Sequence, residues 1–166
     1  MQIPLQIEPP TGALADVDYR WDPDTDILSA QLRAGSVGEG ASGAVEVEGK
    51  DGSWLTFDLT SGRIHGVEVA VWPTVQKLSI LTPPSEVEDA RAVVRARDGR
   101  AVASLEVNTL VLAEADHAER VIHFRLGASN RARTVRLARD LLLDLDAQSH
   151  LAGVWLLNVP PFPTDS

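Results

Sequence analysis

Four histidines are the side chains of this sequence best suited to metal binding or proton transfer. They are His65, His117, His123 and His150. An imidazole can bind a metal ion together with a carboxylate, for which Asp58 and Asp144 are candidates. No compact motif such as H-E-x-x-H joins these residues, and no nucleophile elbow or phosphate-binding loop is present. The spacing therefore favours chance placement on polar faces, and we predict neither a metal site nor any other cofactor.

An arginine-bearing stretch is the second group with chemical potential. Its members are Arg125, Arg131, Arg133 and Arg136. Guanidinium groups at strand spacing share a face and bind phosphate or carboxylate, so an anion-binding site is one hypothesis. The alternative, which we favour, is a charged strand edge or a set of ion pairs to the acidic first half. No aromatic residues are interleaved with the arginines, which argues against nucleic-acid binding.

Composition places the chain among ordinary globular proteins. It has 166 residues, a formal net charge of −9 and no cysteine. This charge disfavours nucleic acid and anionic membranes as general partners, and the lack of thiols excludes disulfides. The N-terminal sequence has no basic region followed by an apolar core, and no apolar run approaches about 18 residues, so we expect a cytoplasmic protein without a membrane span.

A repeat organises the elements that must position these side chains. The stretch Phe57 to Pro73 returns in recognisable form as Leu143 to Pro161. In each copy an apolar alternation ends in a polar turn and a second alternation follows, which is typical of a β-hairpin. The sequence therefore predicts two related halves, residues 1–82 and 83–166, that pack together because each alone would be marginally stable.

The first half also carries a motif. Its residues are Trp21-Asp22-Pro23, Asp26, Leu28, Asp58, Gly62-Arg63-Ile64 and Gly66-Val67-Glu68-Val69. The motif resembles a small, widespread bacterial domain family of unknown function, which opens Tyr-Asp-Pro-x-x-Asp-x-Leu-Tyr and closes with Asp, a Gly-containing turn and Gly-Ile-Glu-Ile. Trp21 and Ser29 stand where that family has tyrosines. The resemblance covers residues 17–72, with a weaker second copy over 111–159; it implies a compact β-rich unit and supplies no catalytic residues.

Short strands with closely spaced turns predict an all-β fold with little helix, in which two pseudo-equivalent β-meander or hairpin halves form one sandwich- or barrel-like unit. Residues 85–97 are the ambiguous segment. Ser85 and Glu88 fit a helix capping box, whereas Asp98-Gly99 fits a hairpin turn. We expect a short helical turn over 85–90 and a strand over 91–97.

The two copies differ on their outer faces. The second copy is apolar on both faces, through Leu142, Trp155, Leu157 and Val159. Such strands must be buried by something, either a partner protein or the other half of the chain. We predict a non-catalytic protein-interaction or binding module that self-associates or binds a protein partner through these residues. The alternative is a small-ligand or metal-dependent enzyme with its site between the halves.

Overall fold

The structure is a computed structural model that describes residues 3–33, 39–96, 98–100 and 102–163. Within these ranges the chain forms strands and no helix, so the predicted all-β fold is confirmed, and no described helix could span a bilayer. The strands are β1 (Leu5–Glu8), β2 (Val17–Asp22), β3 (Ile27–Leu32), β4 (Ser42–Gly49), β5 (Trp54–Thr60), β6 (Arg63–Val71), β7 (Val75–Leu78), β8 (Glu88–Asp89), β9 (Arg91–Val94), β10 (Ser104–Thr109), β11 (Val111–Asp116), β12 (Ile122–Leu126), β13 (Arg133–Ala138), β14 (Leu141–Leu145) and β15 (Leu151–Leu156).

The strands form two sheets. The first has the order β1-β9-β6-β5-β4-β10, and β3 pairs with both β2 and β6. The second has the order β7-β11-β12-β15-β14-β13-β8. Strands from the predicted second half join the first sheet and β7 joins the second sheet, so a boundary at residue 82 does not separate the two sheets.

Alternation of apolar side chains explains why these segments are strands. In β4 and β5, Val45, Val47, Leu55 and Phe57 are completely buried, while the residues between them are half-buried. Successive strand side chains point to opposite faces, so one face of each sheet supplies the common core. The turn between β5 and β6 places Ser61 and Gly62 at φ 49° and 82°, as a tight hairpin with two positive-φ residues requires.

Corresponding pairings recur in the two sheets. The β3–β6 pair resembles the β12–β15 pair, and the β5–β6 pair resembles the β14–β15 pair. The matching partners are Ala30–Val67 with Phe124–Val154, and Asp58–Gly66 with Asp144–Gly153. The repeated stretches therefore occupy comparable places, while their origin by duplication stays a prediction.

The helical turn expected over residues 85–90 is wrong. Glu88 and Asp89 instead form β8, which pairs in parallel with Val135 and Arg136 of β13. The Arg136 guanidinium donates a 2.7 Å hydrogen bond to Asp89, and this tertiary pairing outweighs the local helix propensity. The strand expected over 91–97 is present as β9 (Arg91–Val94), and residue 97 lies outside the described part of the chain.

A long connection joins opposite edges of the second sheet. Residues 79–87 link β7 to β8, which flank five intervening strands. At about 4.8 Å per strand the crossing measures roughly 29 Å, so these residues must be nearly extended. The inner face of the sheet is filled by the core, and residues 84–86 of the connection lie beside Thr134, which bonds Asp144 on the outer face. Leu81, Pro83, Pro84 and Val87 are accordingly half-buried.

Candidate functional site

An open cavity lies where the first β-hairpin, the edge of the second sheet and the C-terminal segment meet. Its volume is about 280 Å³. The apolar and aromatic lining consists of Trp21, Trp72, Val75, Ala115, Ile122 and Phe162. Because both predicted halves contribute walls, we refer to this cavity as the junction pocket.

Ring stacking and hydrogen bonds hold the aromatic wall of the junction pocket. Trp21 and Trp72 stack with centroids 5.7 Å apart and an interplanar angle of 18°, and Phe162 meets Trp21 edge-on at 5.2 Å. The Trp21 indole donates to the Pro160 carbonyl at 2.9 Å, and the Trp72 indole donates to the Asp26 carbonyl at 2.7 Å. With both N–H groups satisfied, the indoles offer the pocket only apolar surface.

Tyr19 attaches the C-terminal segment to the same hairpin. Its hydroxyl donates to the Leu157 carbonyl at 2.7 Å. Burial raises the pKa of Tyr19, and the nearby Asp140 raises it further, so the hydroxyl stays protonated and keeps donating. This contact fixes the strand that carries Trp21 relative to the segment that carries Phe162.

The polar part of the junction pocket has an acidic excess. Lys77 and Glu119 form an ion pair and neutralise each other. Asp26 is exposed, has φ 62°, and its carboxylate makes no hydrogen bond or ion pair with any described residue. Among the described residues that line the pocket, Asp26 is therefore the one unneutralised charge.

A buried polar cluster occupies the outer face of the second sheet. Asp144 has 3% of its surface exposed and accepts hydrogen bonds from three side chains. These are Thr134 at 2.8 Å, Trp155 at 3.1 and 3.2 Å, and His123 at 2.8 Å. The His123 ring stacks on Trp155 at 4.0 Å, and its Nδ1 lies 3.7 Å from Glu114.

The geometry of this cluster suits a structural role better than a chemical one. Both carboxylate oxygens of Asp144 already have donors, and both ring nitrogens of His123 face a carboxylate. Only 12% of the His123 side chain is exposed and Trp155 lies against its ring. A general base needs a free acceptor within reach of a substrate proton, which His123 lacks in this arrangement.

The comparable position of the first sheet is built differently. Asp58 accepts one side-chain hydrogen bond, from the Gln31 amide at 2.7 Å. Burial raises the pKa of Glu68, and the Asp58 carboxylate raises it further. Where the second sheet surrounds its aspartate with donors, the first sheet places a second carboxylate beside it.

A second cavity, of about 390 Å³, is polar and contains Lys50, Asp146 and His150. Burial acts to raise the pKa of Asp146, but amide hydrogen bonds from His150 and Gln148, together with the His150 imidazole, lower it below its usual range. His150 Nδ1 is 3.4 Å from Asp146 but has no hydrogen-bond partner in the described structure. The turn itself therefore accounts for most contacts of this aspartate.

The predicted interface residues are largely covered by their own chain. Leu142, Trp155 and Val159 are 3%, 4% and 0% exposed, and Leu157 is half-buried. Residues 84–86 share a cavity with Thr134, which bonds Asp144 on the same face as Trp155. This burial agrees with the alternative that the chain covers the surface itself, and a partner would have to displace that cover.

The predicted arginine site is divided between several contacts. Arg131 and Arg133 line one polar cavity of about 390 Å³ beside residues 84–86, and Arg133 lies 3.7 Å from Glu88. Arg136 is paired with Asp89, and Arg125 is exposed on β12. The structure thus brings two of the four arginines together, and anion binding there stays a prediction.

The histidines are likewise dispersed. Among the described residues, no three His, Asp or Glu side chains are grouped as metal ligands would be. His123 meets Asp144, one of the two aspartates considered from the sequence. The junction pocket was missed, although a signal existed: Trp21 and Trp72 are large aromatics in a chain with only 5% aromatic residues.

No protein-family model matches this chain, and no curated protein matches it.

Proposed function

We propose that this protein is a non-catalytic binding module whose junction pocket accepts an apolar group. The observation that carries the proposal is an open cavity with an aromatic and aliphatic lining drawn from both halves of the chain. Concave, mostly apolar sites with few polar groups are the usual form of ligand pockets. The group can belong to a small molecule, or to a side chain of a protein partner or of a second copy.

Rigidity of the walls supports this function. The two indoles are held by stacking and by hydrogen bonds to backbone carbonyls, so little side-chain order is lost when a ligand enters. Burying a phenyl-sized group stabilises the complex by roughly 1.5–3 kcal/mol before the cost of association. Apolar contact alone therefore predicts weak binding, and polar contacts must supply further affinity.

The lining also supports binding over catalysis. Among the described lining residues there is no His, Ser or Thr, and Lys77 is paired with Glu119. Nucleophilic chemistry requires a nucleophile activated by a base within hydrogen-bond reach, and the free carboxylate of Asp26 has no such partner among these residues.

The proposal is tested with 2-phenylethanol as an uncharged apolar probe. Titration followed by NMR of the tryptophan indole N–H signals should give saturable shifts at Trp21 and Trp72. Phe162→Ala, which removes a wall of the pocket, should weaken binding at least threefold. Leu112→Ala is the matched control because Leu112 is similarly exposed, at 46% against 38%, and does not line the pocket.

Two results would overturn the proposed function. One is the absence of saturable shifts up to the solubility limit of the probe. The other is equal weakening in Phe162→Ala and Leu112→Ala, which would show general adsorption to exposed apolar surface.

A further inference from the structure

We infer that the ligand of the junction pocket is a small organic cation, namely an apolar or aromatic body bearing one ammonium group. The inference rests on the proposed function, because it specifies the ligand of that same pocket. It starts from the charges among the lining residues.

Of the three charged residues described in the lining, Asp26 alone is free to pair with a charged ligand. Lys77 and Glu119 are paired with each other, so they present no net charge to a ligand. Asp26 is one of the lining residues and is exposed, and its carboxylate has no hydrogen-bond or ion-pair partner among the described residues. A cation placed there gains an ion pair that no side chain of the protein supplies.

The aromatic wall of the pocket, like the Asp26 carboxylate, favours a positively charged ligand. The face of an indole is the negative part of its quadrupole and attracts cations, best of all in tryptophan. An anion would meet the negative charge of Asp26, which repels it. The Trp72 indole donates to the Asp26 backbone carbonyl at 2.7 Å, so this ring and residue 26 are held close together.

The size of the pocket limits the ligand to a small body. Pockets for drug-sized ligands run from about 300 to 1,000 Å³, and the junction pocket, at about 280 Å³, lies just below that range. A single aromatic ring with a short amine-bearing arm fits this class. The arm would let the ammonium pair with the exposed Asp26 side chain while the ring contacts the apolar wall.

Three probes of nearly equal shape separate charge from apolar contact. Phenethylamine, 2-phenylethanol and phenylacetate carry a positive, neutral and negative group on the same ring at pH 7. We expect phenethylamine to bind about three- to tenfold more tightly than 2-phenylethanol, the range given by one exposed ion pair with a cation–π contribution. Phenylacetate should bind more weakly than 2-phenylethanol.

Asp26→Asn tests the carboxylate directly. Asparagine tolerates the left-handed backbone at this position, so the turn should be kept. The preference for phenethylamine should fall below twofold while 2-phenylethanol binds as before. Asp24→Asn removes the same charge from the same exposed turn without altering the lining, and it should keep the full preference.

The outcomes distinguish the two proposals. If none of the three probes binds, the proposed function fails. If all three bind equally, or if Asp24→Asn and Asp26→Asn act alike, the pocket binds apolar groups but the cation inference is overturned. Tighter binding of N-acetyl-lysine methylamide than of phenethylamine would overturn the assignment to a small molecule, since it would point to a polypeptide lysine.

Discussion

Substitution of Asp144 by asparagine separates the two copies of the repeated hairpin. Asp144 is buried and accepts hydrogen bonds from Thr134, Trp155 and His123. An asparagine keeps one acceptor oxygen and turns a donating amide toward the remaining donors. At least one buried donor is then left without a partner.

The expected loss in the free energy of unfolding follows from these contacts. Hydrogen bonds to a charged group contribute about 1.5–3 kcal/mol each, and an orphaned buried donor costs about 1–3 kcal/mol. Because one bond is retained, we expect Asp144→Asn to lower the free energy of unfolding by about 3 kcal/mol. For a chain of this size that corresponds to a fall in Tm of about 6–12 °C.

The matched control is Asp58→Asn in the first sheet. Asp58 is half-buried, and its one described side-chain partner is the amide of Gln31, which can reorient. The Asp58 carboxylate also repels Glu68 and so helps to raise the pKa of that residue. Losing the charge removes that repulsion, so the free energy of unfolding should change by less than about 1 kcal/mol.

Urea denaturation at pH 7, followed by far-UV circular dichroism, measures both variants. The slope of the transition should be unchanged, so that the midpoint reports stability. Losses that agree within about 0.5 kcal/mol for the two variants would refute the reasoning, because the three donors of Asp144 would then contribute nothing beyond the single donor of Asp58.

Two further predictions concern the same hairpins. Gly153→Ala should destabilise the protein by at least about 2 kcal/mol more than Gly66→Ala in the same urea assay. The added carbon at Gly153 would lie 2.7 Å from the backbone oxygen of Phe124, which cannot move away easily. At Gly66 the added carbon would meet the end of the Gln31 side chain, which can move. Asp146→Asn should be less stable than the parent at pH 7, and the difference should shrink as pH falls below about 4, because a carboxylate with a lowered folded pKa stabilises only while it is ionised. A pH-independent difference, or equal effects of the two alanines, would contradict these expectations.

Local periodicity explains why the fold class could be predicted. Alternating apolar residues in segments such as Trp54–Thr60 and Arg63–Val71 fix which side chains share a face, and turn residues such as Ser61 and Gly62 fix where the chain reverses. The helical turn predicted over 85–90 was wrong because a tertiary contact decided the structure of this segment. Its local signal was overridden by pairing with β13, a strand some 45 residues away along the chain.

The candidate sites are formed by residues that lie far apart in the sequence, so local sequence patterns do not predict them. The sequence offers four histidines and two aspartates as possible metal ligands without pairing them, and the structure brings His123 and Asp144 together as a hydrogen-bonded pair. The donors Thr134 and Trp155 around Asp144 come from neighbouring strands, so their convergence depends on strand register. The same holds for the junction pocket, where Trp21 and Ile122 meet only after the sheets have packed.

The sequence by itself determined the strands, their inward faces and the tight turns, because these follow from side-chain alternation and backbone preferences over a few residues. Tertiary structure decided what covers the outer face of the second sheet. The apolar residues Leu142 and Trp155 require burial by some surface, but their pattern does not specify which one. In the structure both side chains are buried within the chain itself, at 3% and 4% exposure, and residues 79–87 connect the two edges of that sheet.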